Sequence, residues 1–133
     1  MKQEDKELLL RDICARLPYK VNIQVKDWTV LDAELKIGHI DRLQHDEIEF
    51  KPYLRSMSNM TEKENRVLND ITYKEYDGYT IKDTPAYTGN RYVYYDEIDD
   101  LIDFYNSHHL DFRGLIERGL ALEAPEGMYV KID

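Results

Sequence analysis

Apolar residues recur at helical spacing near both ends of this sequence and with a period of two between them. That change of period restricts the chain to a mixture of helices and strands. Near the start, Leu9, Leu10, Ile13, Cys14 and Leu17 follow spacings of three and four, which predicts a helix with one apolar face. Glu4, Asp5 and Glu7 stand near its beginning and Arg11 and Arg16 toward its end, the charge order a helix dipole favours, and Pro18 stops it. Cys14 falls on the apolar face and reads as a small core residue. Val21, Ile23 and Val25 then alternate with Asn22 and Gln24, the pattern of a half-buried strand. Asp27-Trp28-Thr29 can turn the chain, residues 30–40 read as a second strand with a bend at Gly38, and Ile48 and Phe50 belong to a third that ends at Pro52.

Thr61-Glu62-Lys63-Glu64 has the form of a capping box, in which the Thr61 hydroxyl and the Glu64 carboxylate each bind the other residue's amide. Val67, Leu68 and Ile71 follow on one face of a short helix. Seven of the eleven tyrosines lie between residues 73 and 95. Asp77-Gly78 suits a tight turn, which predicts a hairpin of residues 73–76 and 79–81, and residues 91–95 read as a strand. Asp96 opens a helix with Ile98, Leu101, Ile102 and Tyr105 as its apolar stripe, broken at Asn106-Ser107. Asp111 is placed to cap a second short helix bearing Phe112, Leu115 and Ile116, with Gly119 as its stop. Pro125-Glu126-Gly127 predicts a turn, and Met128, Val130 and Ile132 alternate as in a final strand. With 133 residues and no linker, the chain reads as one domain, residues 1–133. The class is α+β: an N-terminal helix, a small antiparallel sheet or partly closed barrel, and a helical C-terminal part.

The formal net charge is −9, and it is unevenly spread. Residues 1–95 carry 17 acidic and 15 basic side chains, residues 96–133 ten acidic and three basic. This balance opposes direct binding to a nucleic-acid backbone and suits a partner protein with a basic surface. No apolar run approaches the ~20 residues of a membrane helix, and the charged start is unlike a signal peptide, so the expectation is a cytoplasmic protein away from membranes. One cysteine excludes an intrachain disulfide and a cysteine-cluster metal site. No phosphate loop, dinucleotide fingerprint or nucleophile elbow occurs, and no cofactor or metal is expected.

Asp96, Glu97, Asp99, Asp100 and Asp103 place five carboxylates within eight residues. The helix dipole favours acids in a first turn, and the same group on a solvent face forms a docking patch. Tyrosine gives large contact area at low entropy cost, so the tyrosine-rich stretch is either core and rim or an interface. Tyr92, Tyr94, Asp99, Asp100 and Asp103 are therefore the candidate contact residues. Two alternatives remain at this point: an acidic mimic of nucleic acid that inhibits a DNA-binding protein, and a small hydrolase or nuclease using His108, His109 and Asp111. The adjacent histidines diverge by about 100° on a helix and lack metal-ligand spacing; a cap at the helix end and packing at the following turn explain them as well.

Three segments carry a resemblance: KELLLRDICARLPY (residues 6–19), KPYLRSMSNMT (51–61) and HHLDFRGLIERGLALEAPEGMY (108–129). Together they resemble a group of small proteins of unassigned function from prophages and mobile elements of gut bacteria. The resemblance implies a bacterial cytoplasm and a phage or mobile-element setting, and it carries over no catalytic or binding residue. The expected function is that of a non-enzymatic accessory protein that binds another protein.

Overall fold

The computed structural model describes residues 1–26, 30–71, 86–88, 91–93 and 98–129. Helix α1 (Gln3–Arg16) presents Leu9, Asp12, Ile13 and Arg16 to the interior. Cys14 is exposed, contrary to the expectation of a core thiol. The inward stripe is turned toward Asp12 and Arg16, whose charges cancel inside the protein, and that phase carries Cys14 to the solvent side. Pro18 lies in the 3-10 turn Leu17–Tyr19, and Lys20, with φ 57°, reverses the chain into the sheet.

Strand β1 (Asn22–Lys26) runs antiparallel to both β2 (Val30–Glu34) and β3 (Glu49–Leu54). Ile23 pairs with Ala33 and Pro52, and Val25 with Leu31 and Phe50, so these residues share one sheet face. The second strand ends earlier than its apolar pattern suggests. Residues 37–44 form helix α2 (Ile37–Gln44), which buries Leu43, and the His39 Nδ1 accepts the Lys36 N–H at 2.9 Å to close its first turn. A fourth strand, β6 (Leu122–Glu123), pairs with β3 in parallel, Tyr53 beside Leu122. The sheet is therefore mixed and open, in the order β2-β1-β3-β6, and not purely antiparallel or barrel-like. A parallel pair needs a long crossover, and the whole stretch between residues 54 and 122 supplies it. Leu9, Ile13, Ile23, Phe50, Leu54 and Leu115 centre the main apolar cluster.

Helix α3 (Glu62–Ile71) begins with the expected capping box: the Glu64 N–H donates to Thr61 Oγ1 at 3.1 Å and the Thr61 N–H to Glu64 Oε1 at 2.8 Å. Strands β4 (Ala86–Thr88) and β5 (Arg91–Val93) form a separate antiparallel pair. Helix α4 (Ile98–Ser107) turns Leu101, Phe104 and Tyr105 inward against Leu68 and Leu110, the second apolar cluster. Among the described residues no α-helix follows Asp111. Its carboxylate caps the N–H groups of Leu115 and Ile116 at 2.8 and 2.9 Å, but Gly114 and Gly119 take left-handed φ of 75° and 76°, and the segment runs as successive turns. The Pro125–Gly127 turn closes through the Met128 N–H on Pro125 O at 3.1 Å, with Gly127 at φ 82°. The hairpin expected at 73–81 and residues 130–132 of the expected final strand lie outside the described residues, while Met128 and Tyr129, the expected start of that strand, form a bend and no strand. Among the described residues no helix is long and apolar enough to cross a membrane.

Candidate functional site

Helix α4 sorts its residues by side. Leu101 and Tyr105 are fully buried and Phe104 nearly so, while Asp99, Asp100 and Asp103 are exposed. The three acids stand at spacings of three and four, so their carboxylates neighbour one another on the solvent side. Among the described residues no basic side chain forms an ion pair with any of them. Of the tyrosine half of the candidate surface, Tyr92 has its backbone in β5, paired with Tyr87. The Tyr92 side chain and all of Tyr94 lie outside the described residues.

His108, His109 and Asp111 follow α4 closely in sequence but are committed to different tasks. His108 Nδ1 is 2.6 Å from Glu64 Oε2, and its ring stacks on Phe104 with centroids 4.2 Å apart. Glu64 is buried. Arg55 grips both its oxygens, Nη1 to Oε2 and Nη2 to Oε1, each at 2.7 Å. Burial would raise the Glu64 carboxyl; the hydrogen bonds from Arg55, the Thr61 amide and His108 outweigh it and hold the pKa at about 2.

His109 faces another way. Its backbone is left-handed at φ 60°, its ring lies against Tyr129 with centroids 3.8 Å apart, and its Nδ1 is buried with no hydrogen-bond partner among the described residues. Burial first, then the cations of Arg16 and Arg55, push its pKa down to about 4, so the ring is neutral near pH 7. Burial also pushes the Tyr129 phenol up to about 12; that hydroxyl donates to Tyr53 O at 2.6 Å and accepts the Asn22 N–H at 3.0 Å. Asp111 spends both oxygens on its turn. The three candidates thus meet in no common cleft: Asp111 lines one wall beside Ser56 and Glu117, and neither histidine joins it there. Among the described residues no three His, Cys, Asp or Glu side chains converge as a metal site.

The feature that sequence reasoning missed is a second buried charge cluster. Arg16 Nε donates to Asp12 Oδ2 at 2.8 Å, Arg113 Nη1 to Asp12 Oδ1 at 2.7 Å, and Arg16 Nη2 to Leu110 O at 2.7 Å. The two guanidinium groups lie 4.2 Å (Arg113) and 5.7 Å (Arg16) from the centroid of the Phe112 ring. The available signal was the spacing of four between Asp12 and Arg16 on a predicted helix. Compared with protein-family models, with curated proteins and with solved structures, the chain matches none of them.

Proposed function

We propose that this protein is a non-enzymatic accessory protein that binds another protein, using the acidic side of α4 against a basic surface on its partner. One observation carries the reading: Asp99, Asp100 and Asp103 are held together on the solvent side of a helix whose opposite side is locked into the core. Like charges at this spacing repel by a few tenths of a kcal/mol per pair, which a helix N-terminus offsets in part and a cationic partner surface reverses. Tyr92 and Tyr94, just before α4 in the chain, are the proposed flanking contacts. The setting proposed is the bacterial cytoplasm, in a phage or other mobile element.

The test is affinity capture from a bacterial lysate with the wild-type chain and with the triple variant Asp99→Lys, Asp100→Lys, Asp103→Lys. Juxtaposed like charges cost several kcal/mol at an interface, so capture of the partner should fall by at least about tenfold. All three sites are exposed, and circular dichroism should show an unchanged fold. An unchanged set of captured proteins would refute the assignment of this face.

A further inference from the structure

A cleft of about 390 Å³ opens between the turn at Met57–Asn59 and the loop around Pro125. That volume falls within the range of small-ligand sites, roughly 300–1,000 Å³. Its walls include Arg55, Asn59, Glu123, Glu126 and Tyr129.

The basic side chain on this wall is already spent. Arg55 Nη1 donates to Glu64 Oε2 and His108 O, and Nη2 to Glu64 Oε1 and Asn59 O, so the four N–H groups of its two terminal nitrogens are placed. Its charge is balanced by Glu64. An anion entering the cleft would find neither a free fork nor an unbalanced positive charge.

The acids are in the opposite condition. Glu123 is 3.4 Å from the Asn59 side-chain amide, a neutral donor, and Glu126 is exposed at the tip of its turn. Among the described residues neither carboxylate has an ion-pair partner. The remaining wall is Tyr129, an aromatic ring anchored at its hydroxyl by Tyr53 O and the Asn22 N–H. The His109 ring, held neutral, backs it, and the cation–π contacts among the described residues, those of Arg16 and Arg113, go to Phe112 and not to this ring. Ala124 and Pro125 add hydrocarbon between the two carboxylates.

We infer that this cleft binds an alkylguanidinium cation, the chemistry of an arginine side chain or of a free guanidino compound, between Glu123, Glu126 and the ring of Tyr129. A guanidinium suits the walls better than an ammonium. It is planar, stacks on an aromatic face, and donates to carboxylates through a fork of N–H groups. The site shares no residue with the acidic face of α4, so either can fail alone.

The experiment is an NMR titration of the full chain with Nα-acetyl-arginine amide, with agmatine, and with the isosteric but uncharged Nα-acetyl-citrulline amide. The amides of Ala124, Gly127 and Tyr129 should shift with both cations and stay still with the citrulline derivative. The double variant Glu123→Gln, Glu126→Gln should weaken binding about tenfold, equivalent to about 1.4 kcal/mol. Both residues are exposed, so the fold should persist, and unchanged shifts elsewhere in the spectrum report it. Tighter binding of the blocked arginine identifies a protein side chain as the occupant, and tighter binding of agmatine a free cation; either supports the site. Equal shifts with citrulline, no shift at these amides, or unweakened binding by the double variant would overturn it.

Discussion

Around the sheet, Leu9, Ile13, Ile23, Phe50 and Leu54 meet as hydrocarbon on elements whose backbone groups pair within helices and strands. At the junction where α1 and α3 meet the chain after α4, the interior also holds Asp12 and Arg16 of α1 and Glu64 of α3, all buried. These charges converge on one stretch of chain, residues 108–113. Arg16 takes the carbonyl of Leu110 and Arg55 that of His108, while Glu64 holds the His108 ring and Asp12 the Arg113 side chain. The Arg55 backbone adds two more bonds, its N–H to His109 O at 2.7 Å and its carbonyl to the Asp111 N–H at 2.9 Å. A half-buried segment without a helix or extended strand must still satisfy the backbone polar groups it hides from water. Where the sheet does this by strand pairing, the junction adds paired charges to a single parallel bridge between Arg55 and Leu110, and the consequence is that it should fail differently.

The largest expected effect comes from breaking one clamp. Asp12→Ala leaves Arg16 and Arg113 without their shared carboxylate, and a buried charge stripped of its partner costs about 3–5 kcal/mol. Urea denaturation should show this loss, as large as that of a cavity-forming Leu9→Ala, about 2–5 kcal/mol, in the hydrocarbon region. A loss under about 1 kcal/mol for Asp12→Ala would erase the distinction between the regions.

Acid should separate them next. Below pH 6.5 the unfolded chain protonates its histidine while folded His109 stays neutral down to about 4, so stability contributed above pH 6.5 is lost as the pH falls through that window. The loss reaches up to about 3 kcal/mol. Glu64 extends it: its stabilising ionisation is present above 4.5 and disappears as the pH falls toward 2. His39 on α2 is also lowered, chiefly by partial burial, so the comparison needs a variant. His109→Asn tolerates the left-handed backbone and should flatten the urea midpoint between pH 6.5 and 4 relative to wild type. An identical pH profile would remove His109 from the account.

The smallest effect tests the cap that feeds the junction. Thr61→Ala removes the hydroxyl that accepts the Glu64 N–H and should cost about 1 kcal/mol in thermal or urea unfolding. Because Glu64 retains Arg55 and His108, the acid profile should keep its shape. A changed profile would mean that the cap, and not the charged side chains, positions the carboxylate.

The legible parts of the fold are those in which neighbours in sequence are also partners in space. The capping box at Thr61 and Glu64, the alternation of Ile23 and Val25, and the stripe of Leu101 and Tyr105 all work this way. The strand reading of residues 30–40 overruns into α2 at Ile37–Ile40, because an eight-residue helix containing Gly38 and one buried leucine gives too short a period to separate helix from strand. The run from Phe112 to Ile116 kept helical spacing, but a left-handed Gly114 interrupts it. Of the candidate contacts, the exposure of Asp99, Asp100 and Asp103 followed from the apolar stripe beside them. The cleft at Tyr129 had no local signal, since Asn59 and Glu123 are 64 positions apart in the chain.

The sequence by itself determined the α+β class, the start of α3, the inward stripe of α4 and the side on which its acids stand, because spacing and caps act over a turn or two of chain. Only the tertiary structure decided that β6 pairs in parallel, that Cys14 faces out while Arg16 faces in, and that His108 and His109 serve separate ends of the junction. Each of these depends on which distant group neutralises a charge or accepts a backbone hydrogen bond, and no local period encodes that choice.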